Sequence, residues 1–210
     1  MQLKYKEILS RYLPAQTLNQ VTHFLVAHKI QIKITRNRNS KLGDYRPPGK
    51  VKAHRITING DLQPYYFYLV FLHELAHLLV WDKYQNRVKP HGNQWKEEFG
   101  SLLKYATHNN YFPTEMQQIV WEFSNNVKAT FASDAMLWRF LNQESGGEEN
   151  LVLEDIPDDS YFEASNGRIF KKAEKLRKRY RCFCLNNKRQ YLFHPFANVR
   201  LLEEQDLKLV

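Results

Sequence analysis

Residues 73–77 read His-Glu-Leu-Ala-His, the pattern HExxH. On an α-helix, positions i and i+4 share a face, so the imidazoles of His73 and His77 can hold one metal ion between them. Glu74 lies one position from His73, beside such an ion rather than on it. Zinc suits imidazole ligands with an open coordination position, and it lowers the pKa of bound water toward about 7. Glu74 would then take the proton as the zinc-bound water attacks a carbonyl, and return it to the leaving amine. The expected chemistry is hydrolysis of peptide bonds in a protein substrate, with Zn2+ as cofactor and Glu74 as general base. The plainer alternative is a hydrogen-bonded polar cluster in a helix core, since buried polar groups need partners.

A third ligand must complete the site. A metzincin continuation requires Gly at 80 and His at 83, where this chain has Val80 and Lys83. A carboxylate-ligand zincin would use a glutamate such as Glu97, 20 residues past His77. His91 lies 14 residues past His77, in a Pro-His-Gly turn that would let the chain fold back over the HExxH face. The reading favours His91, because zinc accepts three-histidine sites. Glu97 is otherwise accounted for as a first-turn carboxylate near a helix's positive end.

The elements that position these residues are legible around them. The apolar run from Pro64 to Trp81 predicts a helix from about Leu62, with Asp61 as cap and Pro64 in the first turn. It is long enough to suggest a membrane span, but His73, Glu74 and His77 at its centre would be costly in lipid, so a buried helix and no membrane are expected. Ile30 to Ile34 alternates as a strand, and His54–Asn59 (HRITIN) is a second, β-branched one. Between them runs a turn-rich basic stretch, RNRNSKLGDYRPPGK. Residues 1–28 read as two helices broken near Pro14. A helix capped by Asn93 should run through about Leu103, followed by helices over 113–127 and 133–143. HRITIN precedes the active-site helix and is a candidate edge strand for pairing with extended substrate, or equally an ordinary internal strand. Tyr45, Tyr84 and Tyr111 could each polarise a tetrahedral oxyanion, and the sequence does not choose among them.

With 210 residues, 43% of them hydrophobic, the chain can bury a substantial core, which excludes wholesale disorder. The two cysteines are too few for a disulfide framework, and the N-terminus lacks an apolar secretory core. A cytoplasmic location is expected, with nucleoid association or a nucleus as variants. The formal net charge of +9 favours anionic partners. It is localised: residues 171–200 contain ten Lys/Arg and one Glu, residues 29–55 nine Lys/Arg and one Asp. Residues 142–163 hold eight acidic and no basic residues and read as an acidic linker over 143–163. Beyond it the pattern turns to β, with hairpins expected at Asn166-Gly167 and at Asn186-Asn187-Lys188. In this module Lys171, Lys172, Lys175, Arg177, Lys178, Arg179 and Arg181 are interleaved with Phe170, Tyr180 and Phe183. Cations beside stackable aromatics suit nucleic acid, with DNA favoured. Cys182 and Cys184 with His194 could form a degenerate metal half-site, but buried structural thiols are the better reading. His23, His28, His54 and His108 read as isolated. Oligomeric state is left open.

The segments HELAHLLVW and KPHGNQWKEEF, with His91-Gly92-Asn93-Gln94-Trp95 as a His-Gly-x-x-aromatic motif, resemble the SprT-like family of zinc metallopeptidases, which includes the Spartan proteases. The likeness covers about residues 20–105. It implies an α+β, zincin-like metallopeptidase domain, zinc dependence, and in some members action on DNA-bound proteins. The tail is similar in position to the family's zinc-ribbon-like module, but two cysteines cannot build a four-cysteine ribbon. The expected organisation is a zincin domain over 1–142, the acidic linker, and a small basic β-rich module over 164–210. The alternative function is a non-catalytic nucleic-acid-binding protein on a zincin scaffold with a structural zinc. Glu74 separates the two, because a structural site needs no base beside its ligands.

Overall fold

The computed structural model describes residues 2–38, 41–49, 53–129, 137, 141 and 151–203. The chain is mixed α and β and divides into two compact units, Met1–Leu141 and Asn142–Val210.

In the first unit, α1 (Gln2–Leu9) and α2 (Leu18–Ala27) flank Pro14 and a short 3-10 turn at Ala15–Thr17. Three strands follow: β1 (Ile30–Thr35), β2 (Gly43–Arg46) and β3 (His54–Asn59). The sheet order is β1-β3-β2, with β1 parallel and β2 antiparallel to β3. HRITIN is therefore the central strand, which removes it as an edge for substrate. The edges are β1 and β2, and β2 is hidden in the sequence by the turn-forming and basic residues around it. Arg38 ties the intervening loop down, donating to Asn59 Oδ1 (2.8 Å) and Thr57 Oγ1 (3.1 Å).

The sheet packs on α3 (Pro64–Tyr84), whose first helical position is Pro64. The N-cap is Gln63 rather than a residue with a capping side chain, so Asp61 does not cap this helix. Phe67, Phe71, Leu72, Leu75, Ala76 and Leu78 are fully buried, on every side of the helix. A helix apolar all round is a core helix. Among the described residues no helix is long and apolar enough to cross a membrane. Helices α4 (Asn93–His108) and α5 (Thr114–Asn125) follow in this unit. Gly92, not Asn93, is the N-cap of α4, which runs one turn further than its sequence suggested. The helix expected over 133–143 lies outside the described residues, except for Leu137 and Leu141, which are buried against this core.

The second unit is a six-stranded antiparallel sheet of β4 (Leu151–Val152), β5 (Tyr161–Ala164), β6 (Ile169–Lys175), β7 (Tyr180–Cys184), β8 (Gln190–Phe193) and β9 (Asn198–Leu202), in the order β4-β9-β5-β6-β7-β8. Both expected hairpins form. The acidic stretch is not all linker: from Leu151 on it belongs to this sheet, and Leu153 and Ile156 are buried in its core. Asp155, Asp158 and Asp159 are exposed while Val152, Leu153 and Ile156 turn in, so composition alone hides its structure.

Candidate metal centre

His73 and His77 stand one turn apart on α3, and the loop after the helix brings His91 to them. His91 Nε2 lies 3.0 Å from His77 Nε2 and 3.2 Å from His73 Nε2. The loop achieves this with Gln85 at φ 54° ending α3 and His91 at φ 56°, while Gly92 N–H closes a turn onto Lys89 O at 3.0 Å. A non-glycine residue in the left-handed region is strained, and such strain clusters at functional sites. Trp95, fully buried in the first turn of α4, packs its ring 4.6–5.3 Å from all three imidazoles. That contact fixes the ring positions, which is what the aromatic residue of the His-Gly-x-x-aromatic motif does here.

Burial holds the imidazoles neutral. The His73 pKa falls to about 3, through desolvation and then the nearby His77 and His91. That of His77 falls to about 4 by desolvation and then His91, and desolvation lowers His91 too. Neutral rings are the ligating form. With their protons on Nδ1, three lone pairs would meet at one point, a site completed by a cation. Tetrahedral zinc with ligands at 2.0–2.1 Å needs nitrogens about 3.3 Å apart, close to the separations observed. His73, His77 and His91 thus form a cluster that could hold a metal ion, and among the described residues no other His/Cys/Asp/Glu group does so. Glu97 is exposed on α4 and lines a separate shallow cavity with Lys96 and Lys104, away from the histidines.

Glu74 is buried at 6% exposure beside the cluster. Desolvation, and then the charge of Asp44, push its pKa up to about 8, while the Tyr45 backbone N–H donates a hydrogen bond to its carboxylate. That N–H is available because β2 is an edge strand. Asp44 and Arg46 pair with β3 in the register in which Leu42 O accepts from Asn59 N–H, so the alternate residues Gly43 and Tyr45 turn their backbone groups outward, toward α3. The approach is close. A Cβ on Gly43 would lie 2.5 Å from Glu74 Oε1 and 2.7 Å from Val70 Cγ1. Gly43 and the Tyr45 N–H are features that motif reading missed. The Gly-Asp-Tyr signal was present, but looks like loop.

The cluster opens on a cleft of about 600 Å³ bounded by β2, the face of α3 carrying the ligands and the loop that carries His91. Tyr45 lines it. Tyr84 and Tyr111 do not.

In the second unit the basic residues separate into three kinds. Lys172 is a correction: its side chain is only 3% exposed, donates to Ile156 O at 2.7 Å, pairs with Asp158 at 3.2 Å and lies over the Tyr180 ring at 4.3 Å. It faces the core because β6 alternates, and it cannot reach a phosphate. Lys171, Lys175 and Arg181 are paired with Asp159 (2.9 Å), Glu154 (2.5 Å) and Glu174 (2.7 Å). Arg177, Lys178 and Arg179 are exposed between β6 and β7, and among the described residues they make no ion pair. Phe170 and Tyr180 are buried, so base stacking cannot fall to them; Phe183 is 38% exposed. Cys182 and Cys184 are buried free thiols, and burial pushes Cys182 up to about 11. With His194 they form no metal cluster among the described residues. His28 and His54 are not isolated: both lie 3.4 Å from the Asp82 carboxylate.

A mixed α/β unit with three histidines gathered on and beside an HExxH helix, able to hold a metal ion, defines a class of metal-binding proteins. The profile of the SprT-like family matches residues 13–129, and the chain belongs to that family, which is generally linked to zincin-like metallopeptidases. Comparison with curated proteins and with solved structures gives no match.

Proposed function

We propose that this chain is a zinc-dependent endopeptidase with a zincin-like catalytic unit. The observation that carries the reading is the convergence of three neutral imidazoles beside a buried carboxylate at the wall of an open cleft. His73, His77 and His91 would hold the ion. Zinc bound there supplies Lewis acidity toward a carbonyl and a lowered pKa for water. Glu74 serves as the general base: its carboxylate accepts the proton of the attacking water and returns it to the leaving nitrogen. The Tyr45 N–H fixes the orientation of that carboxylate, and the outward backbone groups of β2 other than this N–H offer an extended peptide a strand to pair with. A purely structural metal site has no use for a buried, positioned carboxylate beside its ligands.

Glu74→Gln tests this reading. It keeps the shape and loses the basicity, so zinc content should stay near one per chain while peptide turnover falls by about 10²–10⁴. Undiminished turnover in the variant would remove Glu74 from the mechanism.

Nucleic acid, with DNA favoured, is proposed as the recruiting partner, and the contact is assigned to Arg177, Lys178 and Arg179. Their exposure on one turn, without an ion pair among the described residues, supports that assignment, although Arg168, Lys188 and Arg189 of the same module are exposed too.

A further inference from the structure

The cleft extends beyond the metal ligands, and its far part has a different chemistry. His73 and His77 occupy one stripe of α3, and the same stripe continues one turn on as Val80 and Trp81, both of which line the cleft. Tyr45 and Pro47 close it from the β2 side and Val88 from the loop that carries His91, with the polar Gln85, Asn86 and Lys89 at its rim. Four residues of helix span about 6 Å, so a peptide carbonyl held over His73 and His77 places its neighbouring side chain against this apolar wall.

The two aromatic residues of this wall share one imidazole neighbour. The Tyr45 hydroxyl shares a hydrogen bond of 2.9 Å with His54 Nδ1, and the two rings stack at 5.9 Å. On the other side of that imidazole, Nε2 lies 3.4 Å from Asp82 Oδ1, and the second Asp82 oxygen lies 3.4 Å from His28 Nδ1. Trp81 meets His54 edge-on at 5.4 Å. Burial lowers the His54 pKa, which favours a neutral ring in this chain of contacts. Tyr45 and Trp81 are thereby clamped to one imidazole and present ring surface to the cleft. Asp44, which also lines the cleft, is held by Lys41 at 2.7 Å and Arg46 at 3.0 Å.

We infer that Tyr45, Pro47, Val80, Trp81 and Val88 form a side-chain subsite selecting a large apolar or aromatic residue next to the scissile bond, with His54 and Asp82 as positioning residues for its walls. The inference rests on the peptidase reading for what occupies the cleft, but it is tested through binding. The probes are two metal-chelating peptide hydroxamates that differ only in a benzyl or a methyl side chain. Affinities are measured by calorimetry on the zinc-loaded full chain.

Filling such a subsite should favour the benzyl compound by roughly tenfold to a hundredfold. Trp81→Ala should shrink that ratio to about threefold or less while zinc content holds. Because Trp81→Ala could loosen α3, Val88→Gln provides a second variant, on the loop, which places a polar group in the same space and should also reduce the ratio. A ratio near one in the wild type, a ratio unchanged in both variants, or binding of neither compound overturns the subsite. Cleavage of an unfolded mixed-sequence protein is scored separately. Cleavage with a ratio near one leaves the peptidase reading and removes the subsite. A high ratio that both variants lower, with no cleavage by zinc-loaded protein, does the reverse.

Discussion

Ionisable residues enter the apolar interior of both units, half-buried His73 and His77 with buried Glu74 on α3 and the single buried Lys172 on β6, and their settings are opposite. In α3, His73, Glu74 and His77 interrupt a helix that is otherwise apolar, and the three imidazole nitrogens of the cluster face one another. In β6, Lys172 enters the core of the second unit and finds a carbonyl, a carboxylate and an aromatic face waiting. The lysine's environment satisfies its charge, as buried charges require. The histidine cluster brings three ring nitrogens together where they could hold a metal ion. Burial alone therefore does not mark a functional residue. What marks it is several ligand-type side chains converging on one point beside an open cleft.

The largest effect that this contrast predicts is on metal content. His91→Ala should strip most of the zinc measured by atomic absorption, since two ligands on one helix do not retain a structural affinity. Glu97→Ala should leave it unchanged. Retention in the first variant and loss in the second would return the third position to the carboxylate.

Next comes the strand that positions the base. Gly43→Ala places a methyl against Glu74 Oε1 and Val70 Cγ1. The carboxylate must move, and a displacement of about 1 Å costs on the order of 10² in rate. The drop should appear in kcat with zinc content intact. A rate within about threefold of wild type would show that β2 gives way rather than Glu74.

The lysine predicts a stability effect instead. Lys172→Ala leaves the Ile156 carbonyl without its donor and opens a gap over Tyr180, a loss of about 2–3 kcal/mol in the second unit. Lys178→Ala, on an exposed turn, should change stability by less than about 0.5 kcal/mol. Chemical denaturation followed by a probe in the second unit separates the two. Equal effects would mean that the Lys172 cage contributes nothing.

The sequence carried the site better than its setting. HExxH and the later histidine were legible because ligand spacing on a helix is a local property. The Asp61 and Asn93 caps were misplaced because cap geometry depends on where each helix starts, which here was set by Pro64 and by the strained turn at His91. Strand β2 was unreadable for a different reason. Gly43, Asp44 and Arg46 have low strand propensity, and the strand forms because β3 offers it a partner and α3 a surface. Lys172 reads as a surface cation from composition, which does not say which face of a strand a residue occupies. A period-two reading of Phe170, Lys172 and then Cys182, Cys184 would have put it inside.

The smallest structural effect, and the one that sharpens the comparison most, concerns the cations left outside. Arg177, Lys178 and Arg179 are exposed, whereas Lys171, Lys175 and Arg181 are already matched by carboxylates from their own unit. If phosphates bind here, reversing Arg177, Lys178 and Arg179 to Glu should weaken binding to all DNA sequences alike and flatten the dependence on salt. Each neutralised phosphate contributes a slope of about 0.7–0.9 in log K against log salt, so loss of three contacts should lower the slope by about two to three. Reversing Lys171 and Arg181 should do less, because their charge is compensated before any ligand arrives. Zinc content should not move in either variant, and stability should not move in the first. Single-stranded DNA should compete at least as well as duplex only if Phe183 stacks a base, and Phe183→Ala then removes that advantage while leaving the salt slope alone. Fluorescence anisotropy at several salt concentrations reads all of these. Binding that is lost equally on reversing the paired and the unpaired cations would mean that the net charge of the module attracts nucleic acid, and that the turn between β6 and β7 is no site at all.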